Sequence, residues 1–151
     1  MSGQNYQICE KIIESLNSSE LLRDYSLRLF NKTPKFFLGI DANKPPITND
    51  APFVMVVPDT SSFSEYVAEM NSIFIGCVIS DSTASTVGNI TKIQGYQTLE
   101  EFERIVCDNI DNLFQEFVSR YSIMEKGDVR YLAYYPEFHS QRNYKILSEK
   151  E

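Results

Sequence analysis

The chain has 151 residues, 42% of them hydrophobic and 13% aromatic, which suits one domain with a substantial core. Its formal net charge is −7, and no Lys or Arg lies between Lys44 and Lys92, so this third of the chain lacks the clustered cations that a duplex-binding surface requires. The cysteines Cys9, Cys77 and Cys107 are odd in number and far apart, which argues against a disulfide framework or a CxxC metal site.

Membrane and export signals are not evident in the sequence. No apolar run is long enough to span a bilayer, and the N-terminus lacks the basic region and apolar stretch of a secretory signal. We therefore expect a single domain over residues 1–151 that resides in the cytoplasm and makes no membrane contact.

Two amphipathic segments open the chain. In residues 4–16 apolar side chains recur at helical spacing, which predicts a helix. Asn17-Ser18-Ser19 predicts a break or a new N-cap. A second helical segment follows and should end before Pro34, because the residue before a proline is disfavoured in helical geometry. The two segments could also form one long kinked helix.

Extended segments come next. Residues 35–40 and 53–57 predict short strands, and the continuous apolar character of the second suits a strand covered on both faces. In residues 63–80, side chains at every second position share their character, and this period of two predicts one long strand. Residues 81–92 are small and polar, so we expect a mobile loop there, followed by a short edge strand at 93–96.

The clearest predicted helix spans residues 98–121. Thr98 and Glu101 have the spacing of a capping box. One helical face carries Leu99, Phe102, Val106, Ile110, Leu113, Phe117 and Tyr121. Gly127-Asp128 predicts a turn into residues 129–135 and, after Pro136, 138–147, which form either two strands or one long strand broken by the proline. This order predicts an α+β fold with a mixed, largely antiparallel sheet, an N-terminal helical region and one long helix packed on one face.

Side chains that could support catalysis are sparse. His139 is the one histidine, and the sequence contains no GxSxG, GxxxxGK[ST] or GxGxxG motif. Acidic side chains are favourable near the N-terminus of a helix, which explains the pair Glu100-Glu101 without a catalytic role. We expect no catalytic, cofactor-binding or metal-binding residues and no cofactor, hence a protein that works through its surfaces. A small cytosolic enzyme or ligand-binding domain with a polar pocket around His139 is the alternative from another class.

Two short stretches of the sequence form recognisable motifs. The first comprises Gly39-Ile40-Asp41, Pro45-Pro46, Asn49-Asp50, Pro52 and the apolar run 53–57, and the second is Tyr134-Tyr135-Pro136-Glu137-Phe138. The first resembles a pattern of the tail-terminator, or tail-completion, proteins of long-tailed bacteriophages and prophages, and the second is similar to the signature before that family's final strand. With the long strand and helix between them, the resemblance covers roughly residues 5–147, although residues 81–92 are less charged than the family pattern.

The resemblance implies a virion structural protein: a ring, usually of about six copies, that caps the tail tube and joins it to the neck. Its partners would be further copies of itself, the tail-tube protein and a neck or head-completion protein, first in the cytoplasm of the bacterial host and then in the virion tail. A related neck or tube component of the same architecture is the nearest alternative.

The two stretches supply the interface candidates of such a ring. They are Asp41, Pro45, Pro46, Asn49, Asp50, Tyr134, Tyr135, Glu137 and Phe138. The proline-rich loop would be a stiff projection that contacts a neighbour. Alternatively, its prolines only shape a crossover between two strands.

DNA would pass through the ring as cargo without specific binding. Cationic walls would retain the duplex, so we expect an acidic or neutral lumen. The lining candidates are Asp50, Asp59, Glu65 and Glu69. The alternative is that these acids only maintain solubility.

Overall fold

The computed structural model describes residues 4–39, 43, 46, 48–63, 68–116 and 120–149, which form three helices and eight strands. The helices are α1 (Asn5–Asn17), α2 (Glu20–Phe30) and α3 (Gly95–Glu116). The strands are β1 (Lys35–Leu38), β2 (Phe53–Phe63), β3 (Ala68–Ser80), β4 (Ala84–Val87), β5 (Ile90–Ile93), β6 (Tyr121–Lys126), β7 (Arg130–Tyr134) and β8 (Glu137–Glu149). The fold is α+β with a mixed, mostly antiparallel sheet, which confirms the predicted class.

Six strands form the main sheet in the order β1-β2-β3-β8-β6, and β7 also pairs with β8. β1 and β2 are parallel, whereas the other described pairs of this sheet are antiparallel. β3 and β8 pair along their full lengths and form the centre of the sheet. β4 and β5 form a separate two-stranded hairpin.

Helices α1 and α3 pack on one face of the sheet, and α2 packs on α3. Alternate strand residues, such as Val54 in β2 and Ile73 and Ile75 in β3, share one buried core with Ile12 of α1 and Phe102 of α3. Because successive strand side chains point to opposite faces, the residues between them lie on the other face, which no described helix covers.

That other face carries a smaller buried cluster near the start of β2. Ala51, Phe53 and Val78 are buried there, and the rings of Phe37 and Phe53 meet edge to face at 5.4 Å. Ala51 precedes β2, so the end of the proline-rich segment packs on the sheet. Since β1 and β2 are parallel neighbours, a crossover connects them, and Thr48–Asp50 is a described part of it.

The N-terminal helical region consists of two helices rather than one kinked helix. Ser19 has extended backbone geometry, and its Oγ accepts a hydrogen bond from the Leu22 N–H at 3.2 Å. This side-chain cap starts α2 where the sequence predicted a new N-cap. α2 then ends at Phe30, and its C-cap Asn31 adopts a left-handed conformation three residues before Pro34.

The predicted strand at 63–80 is wrong in its first part. β2 continues to Phe63, β3 begins at Ala68, and the two strands are antiparallel partners. The chain therefore reverses direction between Phe63 and Ala68, inside the predicted strand. Two antiparallel strands can each show alternating side chains, so the alternation in the sequence does not reveal the turn between them.

The limits of α3 also differ from the prediction, because the helix begins at Gly95 and ends at Glu116. Thr98 is therefore inside the first turn, where its Oγ1 donates to Asp81 Oδ2 at 3.1 Å. Glu101 accepts a hydrogen bond from Tyr25 Oη at 2.8 Å instead of reaching back to Thr98, so the predicted capping box is wrong.

The buried face of α3 agrees with the prediction over its first four turns. Leu99, Phe102, Val106 and Ile110 are all buried. Farther along, Phe114 is buried and Leu113 is half-buried. Phe117 lies outside the described residues. Tyr121 belongs to β6, a strand that the sequence did not predict, and its ring packs on Phe114 at 5.9 Å.

Residues 81–92 are not the loop that composition predicted. β4 and β5 pair there, with Val87 opposite Ile90 and Gly88-Asn89 as the turn. Gly88 has a φ of +62°, which the first central residue of a tight hairpin turn requires and which glycine adopts without strain. The predicted edge strand at 93–96 is also wrong, since Gly95 already begins α3.

Candidate interaction surface

One end of the main sheet collects turns from both halves of the chain. β2 and β8 begin there and β3 ends there, and Ser80 at the end of β3 pairs with Glu137 at the start of β8. Tyr134, the last residue of β7, pairs with Glu137 as well. We call this region the turn end and define it by Asp50, Ser80, Tyr134 and Glu137.

The β4–β5 hairpin projects from the turn end directly after β3. Its eight strand residues are all exposed, including the apolar pair at its tip, Val87 at 77% and Ile90 at 62%. An isolated two-stranded hairpin is marginally stable in water. Exposed apolar side chains that are grouped in this way are typical of a surface that contacts a partner.

The base of the hairpin is held by hydrogen bonds to neighbouring elements. The Asp81 N–H donates to the Pro136 carbonyl at 2.8 Å, and the Asp81 carboxylate accepts from Thr98 Oγ1. Tyr135 Oη donates to the Ser82 carbonyl at 2.6 Å. These contacts connect the start of the hairpin to the β7–β8 turn and to α3, so they fix the direction in which the hairpin projects.

The β7–β8 turn presents two exposed tyrosines beside the hairpin, Tyr134 at 64% and Tyr135 at 57% exposure. The ring of Tyr134 meets His139 edge to face at 5.4 Å, and His139 Nε2 contacts the carboxylate of Glu137. Three predicted interface residues, Tyr134, Tyr135 and Glu137, therefore lie together. Tyrosines that present both a ring and a hydroxyl are well suited to a protein interface.

Phe138 was also predicted as an interface residue, and its position is wrong for that role. Its ring is fully buried and meets Tyr96 at 5.1 Å. α3 starts directly against it, because a Cβ atom on Gly95 would lie 2.1 Å from the ring. Strand alternation explains the difference: Glu137 and His139 point to the opposite face from Phe138.

The proline-rich segment reaches the same end of the sheet. Asn49 and Asp50 form part of a short 3-10 helix before β2. Lys35 Nζ forms an ion pair with Asp50 Oδ1 at 2.8 Å, and Lys32 Nζ donates to the Asn49 carbonyl at 2.8 Å. Two further interface candidates are thus located at the turn end, where intramolecular contacts hold them.

Three of the predicted site residues, Asp41, Pro45 and Glu65, lie outside the described residues. Pro46 is half-buried.

Of the acids predicted to line a lumen, Glu69 is wrongly assigned. It is 2% exposed at the opposite end of the sheet from Asp50, and its Oε2 accepts a hydrogen bond from the Gln4 N–H at 3.4 Å. Strand alternation places it on the helix-covered face, on the same side as Ile73. Asp59 is exposed at an irregularity of β2. Of the four candidate acids, Asp59 is thus exposed and Asp50 is half-buried.

A buried ion pair connects α3 to β8 away from the turn end. Arg142 Nε donates to Glu103 Oε1 at 2.8 Å, and Arg142 Nη1 donates to the Gly127 carbonyl at 2.6 Å. Cys107 Sγ contacts the same Glu103 oxygen at 2.9 Å. Burial, together with this hydrogen bond, raises the pKa of the Cys107 thiol to about 12. A thiol kept protonated is a poor nucleophile, which favours a structural role for this cluster.

An open groove of about 640 Å³ separates the hairpin from the first turns of α3. Its walls are mostly polar and include Ser85, Lys92, Gln97, Glu100 and Arg104. In the part of the chain that the structure describes, no group of three or more His, Cys, Asp or Glu residues could hold a metal ion.

The hairpin is the main feature of this surface that the sequence reading missed. Its signal was present, because Gly88-Asn89 separates two short runs that each contain β-branched residues. The many Ser and Thr residues concealed that signal, since the same composition is typical of loops.

Comparison with known proteins adds no further constraint: no family model matches the chain, and no curated protein matches its sequence significantly. Among the described helices, none combines the length and the apolar character needed to cross a bilayer.

Proposed function

We propose that this protein is a structural component of a bacteriophage or prophage tail, a tail terminator that assembles into a ring of about six copies on the tail tube. The observation that carries the proposal is the turn end, where an exposed apolar hairpin tip stands beside two exposed tyrosines. Such a surface suits contacts between proteins better than the binding of a small molecule, which requires an enclosed and largely apolar cavity.

The location of the two resembling stretches supports the same proposal. Asn49-Asp50 and Tyr134-Tyr135 are more than 80 positions apart in the chain, yet both lie at the turn end. The α+β architecture, with one long helix on a mostly antiparallel sheet, also agrees with what the resemblance implies.

The ring would place copies of the chain against one another, against the tube protein and against a neck or head-completion protein. DNA would pass through it without specific binding. Asp50 and Asp59 are the candidates for an acidic lining among the described residues. Because Lys35 neutralises Asp50 in part, Asp59 is the stronger of the two.

The test is to add the purified protein to the tail-tube protein of the same phage or prophage while tubes polymerise. We expect tubes to become shorter as the ratio of this protein rises, with a ring visible at one tube end by electron microscopy. Combining Val87→Ser with Ile90→Ser should weaken this effect, whereas Leu21→Ser, a similar change on the exposed side of α2, should not. Tube lengths that are independent of the ratio would contradict the proposal.

A further inference from the structure

Within the described residues, the main sheet has two free edges that differ in protection. β1 forms one edge, and β6 and β7 share the other along β8. β6 is protected, because its register shifts between Ile123 and Glu125, and because Glu125 and Lys126 form ion pairs. β7 pairs with β8 in continuous register, and four of its five residues are exposed. Irregularities and charged pairs discourage pairing at a sheet edge, so β7 is the open part of this edge.

The backbone groups on the free side of β7 follow from its turn. A two-residue connection makes Tyr134 and Glu137 the closing hydrogen-bonded pair. Hydrogen-bonded and non-bonded pairs alternate along antiparallel strands, so the N–H and C=O groups of Tyr131 and Ala133 point away from β8. The side chain of Ala133 shares a face with its partner Phe138, which is the helix-covered face.

The free side of β1 is identified in the same way. The N–H groups of Lys35 and Gly39 donate toward β2 at 3.0 and 2.9 Å. By alternation, the N–H and C=O groups of Phe36 and Leu38 point away from the sheet. Both side chains pack against the main core, so they too lie on the helix-covered face.

We propose that β7 pairs with β1 of a second copy of this chain, with Phe36 opposite Ala133 and Leu38 opposite Tyr131. In this register the free backbone groups of both strands face each other, and their side chains fall on the same face. A continuous sheet across the two copies is therefore possible, and the complementary charges at the two edges are what favour a second copy as the partner.

Strand direction is consistent with this pairing. β1, β2 and β8 run one way and β3 and β7 the other, so β1 and β7 are opposed. A neighbour rotated about an axis along the strands keeps its helices on the same side and presents β1 antiparallel to β7. Because the two edges differ, the contact is head to tail and can repeat until a ring closes. The inference rests on the proposed ring and names the contact that would form it.

Charge complementarity supports the same register. The proposed register places Lys35 of one copy opposite Tyr134 of the other copy. Tyr134 is in turn paired with Glu137 of its own chain. Arg130 then lies opposite Gly39, at the far end from the lysine. The arrangement therefore adds a second carboxylate near Lys35, which already pairs with Asp50 of its own chain, and it keeps Lys35 and Arg130 apart.

Disulfide trapping tests the register. Lys35 and Tyr134 are exposed and would be a directly opposed, non-hydrogen-bonded pair, whose Cα separation suits a disulfide. The native Cys9, Cys77 and Cys107 are buried, so they contribute no background in the folded protein. We expect a mixture of Lys35→Cys and Tyr134→Cys chains to form a covalent dimer on oxidation, and each variant alone to form none. The matched control mixes Lys35→Cys with Glu125→Cys on β6 and should not cross-link.

Light scattering on the unmodified protein separates the two proposals. An oligomer that yields no Lys35–Tyr134 cross-link, or a dimer formed by Tyr134→Cys alone, would overturn the β7–β1 contact and leave the ring in place. A protein that remains monomeric at every concentration would overturn both.

A proline substitution provides an independent test. Ala133→Pro removes an N–H that points away from β8, so we expect the fold to persist, as judged by circular dichroism, while the oligomer is lost. Ala133→Val, which keeps the N–H and favours strand geometry, should retain the oligomer. Full assembly of the folded Ala133→Pro variant would contradict the pairing.

Discussion

β3 and the β4–β5 hairpin are neighbours in the chain and differ in what covers them. β3 buries Ile73, Ile75 and Ile79 against the helices, whereas all eight strand residues of the hairpin face solvent. β3 pairs with β8 in continuous register, as β4 does with β5, so backbone hydrogen bonds do not explain the difference. The helix layer supplies the apolar burial that stabilises the fold, and the hairpin is left available for a partner.

The largest effect should come from the helix-covered side. Phe102 is fully buried and packs against Phe30 and Tyr25, with ring centroids 6.2 and 6.3 Å away. Phe102→Ala should lower the free energy of unfolding by about 3–5 kcal/mol, because it leaves a cavity in the core. Urea titration measures this loss, and Tyr134→Ala at the turn end should cost less than about 0.5 kcal/mol. Similar losses in both variants would remove the distinction between the two regions.

A somewhat smaller effect is expected at the ion pair between α3 and β8. Arg142→Met leaves the buried Glu103 carboxylate without its cation and should cost about 3 kcal/mol. The matched control is Arg104→Met on the same helix, because Arg104 forms an exposed pair with Glu100 and should contribute less than about 1 kcal/mol. If both variants lose the same free energy of unfolding in urea titration, burial of the Arg142–Glu103 pair does not increase its contribution to stability.

The smallest effect on stability is expected in the hairpin. Combining Val87→Ser with Ile90→Ser removes two exposed apolar side chains and should change the free energy of unfolding by less than about 0.5 kcal/mol. The same variant should bind the tail tube or its own copies more weakly. A large loss of stability would instead show that the hairpin tip packs within the chain.

Local patterns in the sequence were sufficient for the elements of the helix layer. The apolar period of α1 and α3 and the cap at Ser19 predicted helices because burial on one side requires that spacing. Contacts between distant residues were not predictable in this way. The first residue of α3 is a glycine, Gly95, because the Phe138 ring leaves no room for a side chain there. No local sequence pattern indicates that contact.

The candidate site was predictable only in part. The aromatic run at 134–138 was identified, yet the buried position of Phe138 depends on the register of β8 with β3, which pairs residues about 60 positions apart. Glu69 was predicted to line a lumen because it lies in the acidic interval of the sequence that lacks Lys and Arg. Its burial follows from strand alternation, which places it on the helix-covered face with Ile73, where its carboxylate accepts a hydrogen bond from the Gln4 N–H.

The central claim is that this protein acts by assembling with copies of itself, and its molar mass in solution tests that claim most directly. Light scattering coupled to size-exclusion chromatography, over a hundredfold range of concentration, should show a species of about six times the 17.4 kDa chain mass, as expected for the proposed ring. A constant mass of 17.4 kDa at every concentration would contradict it.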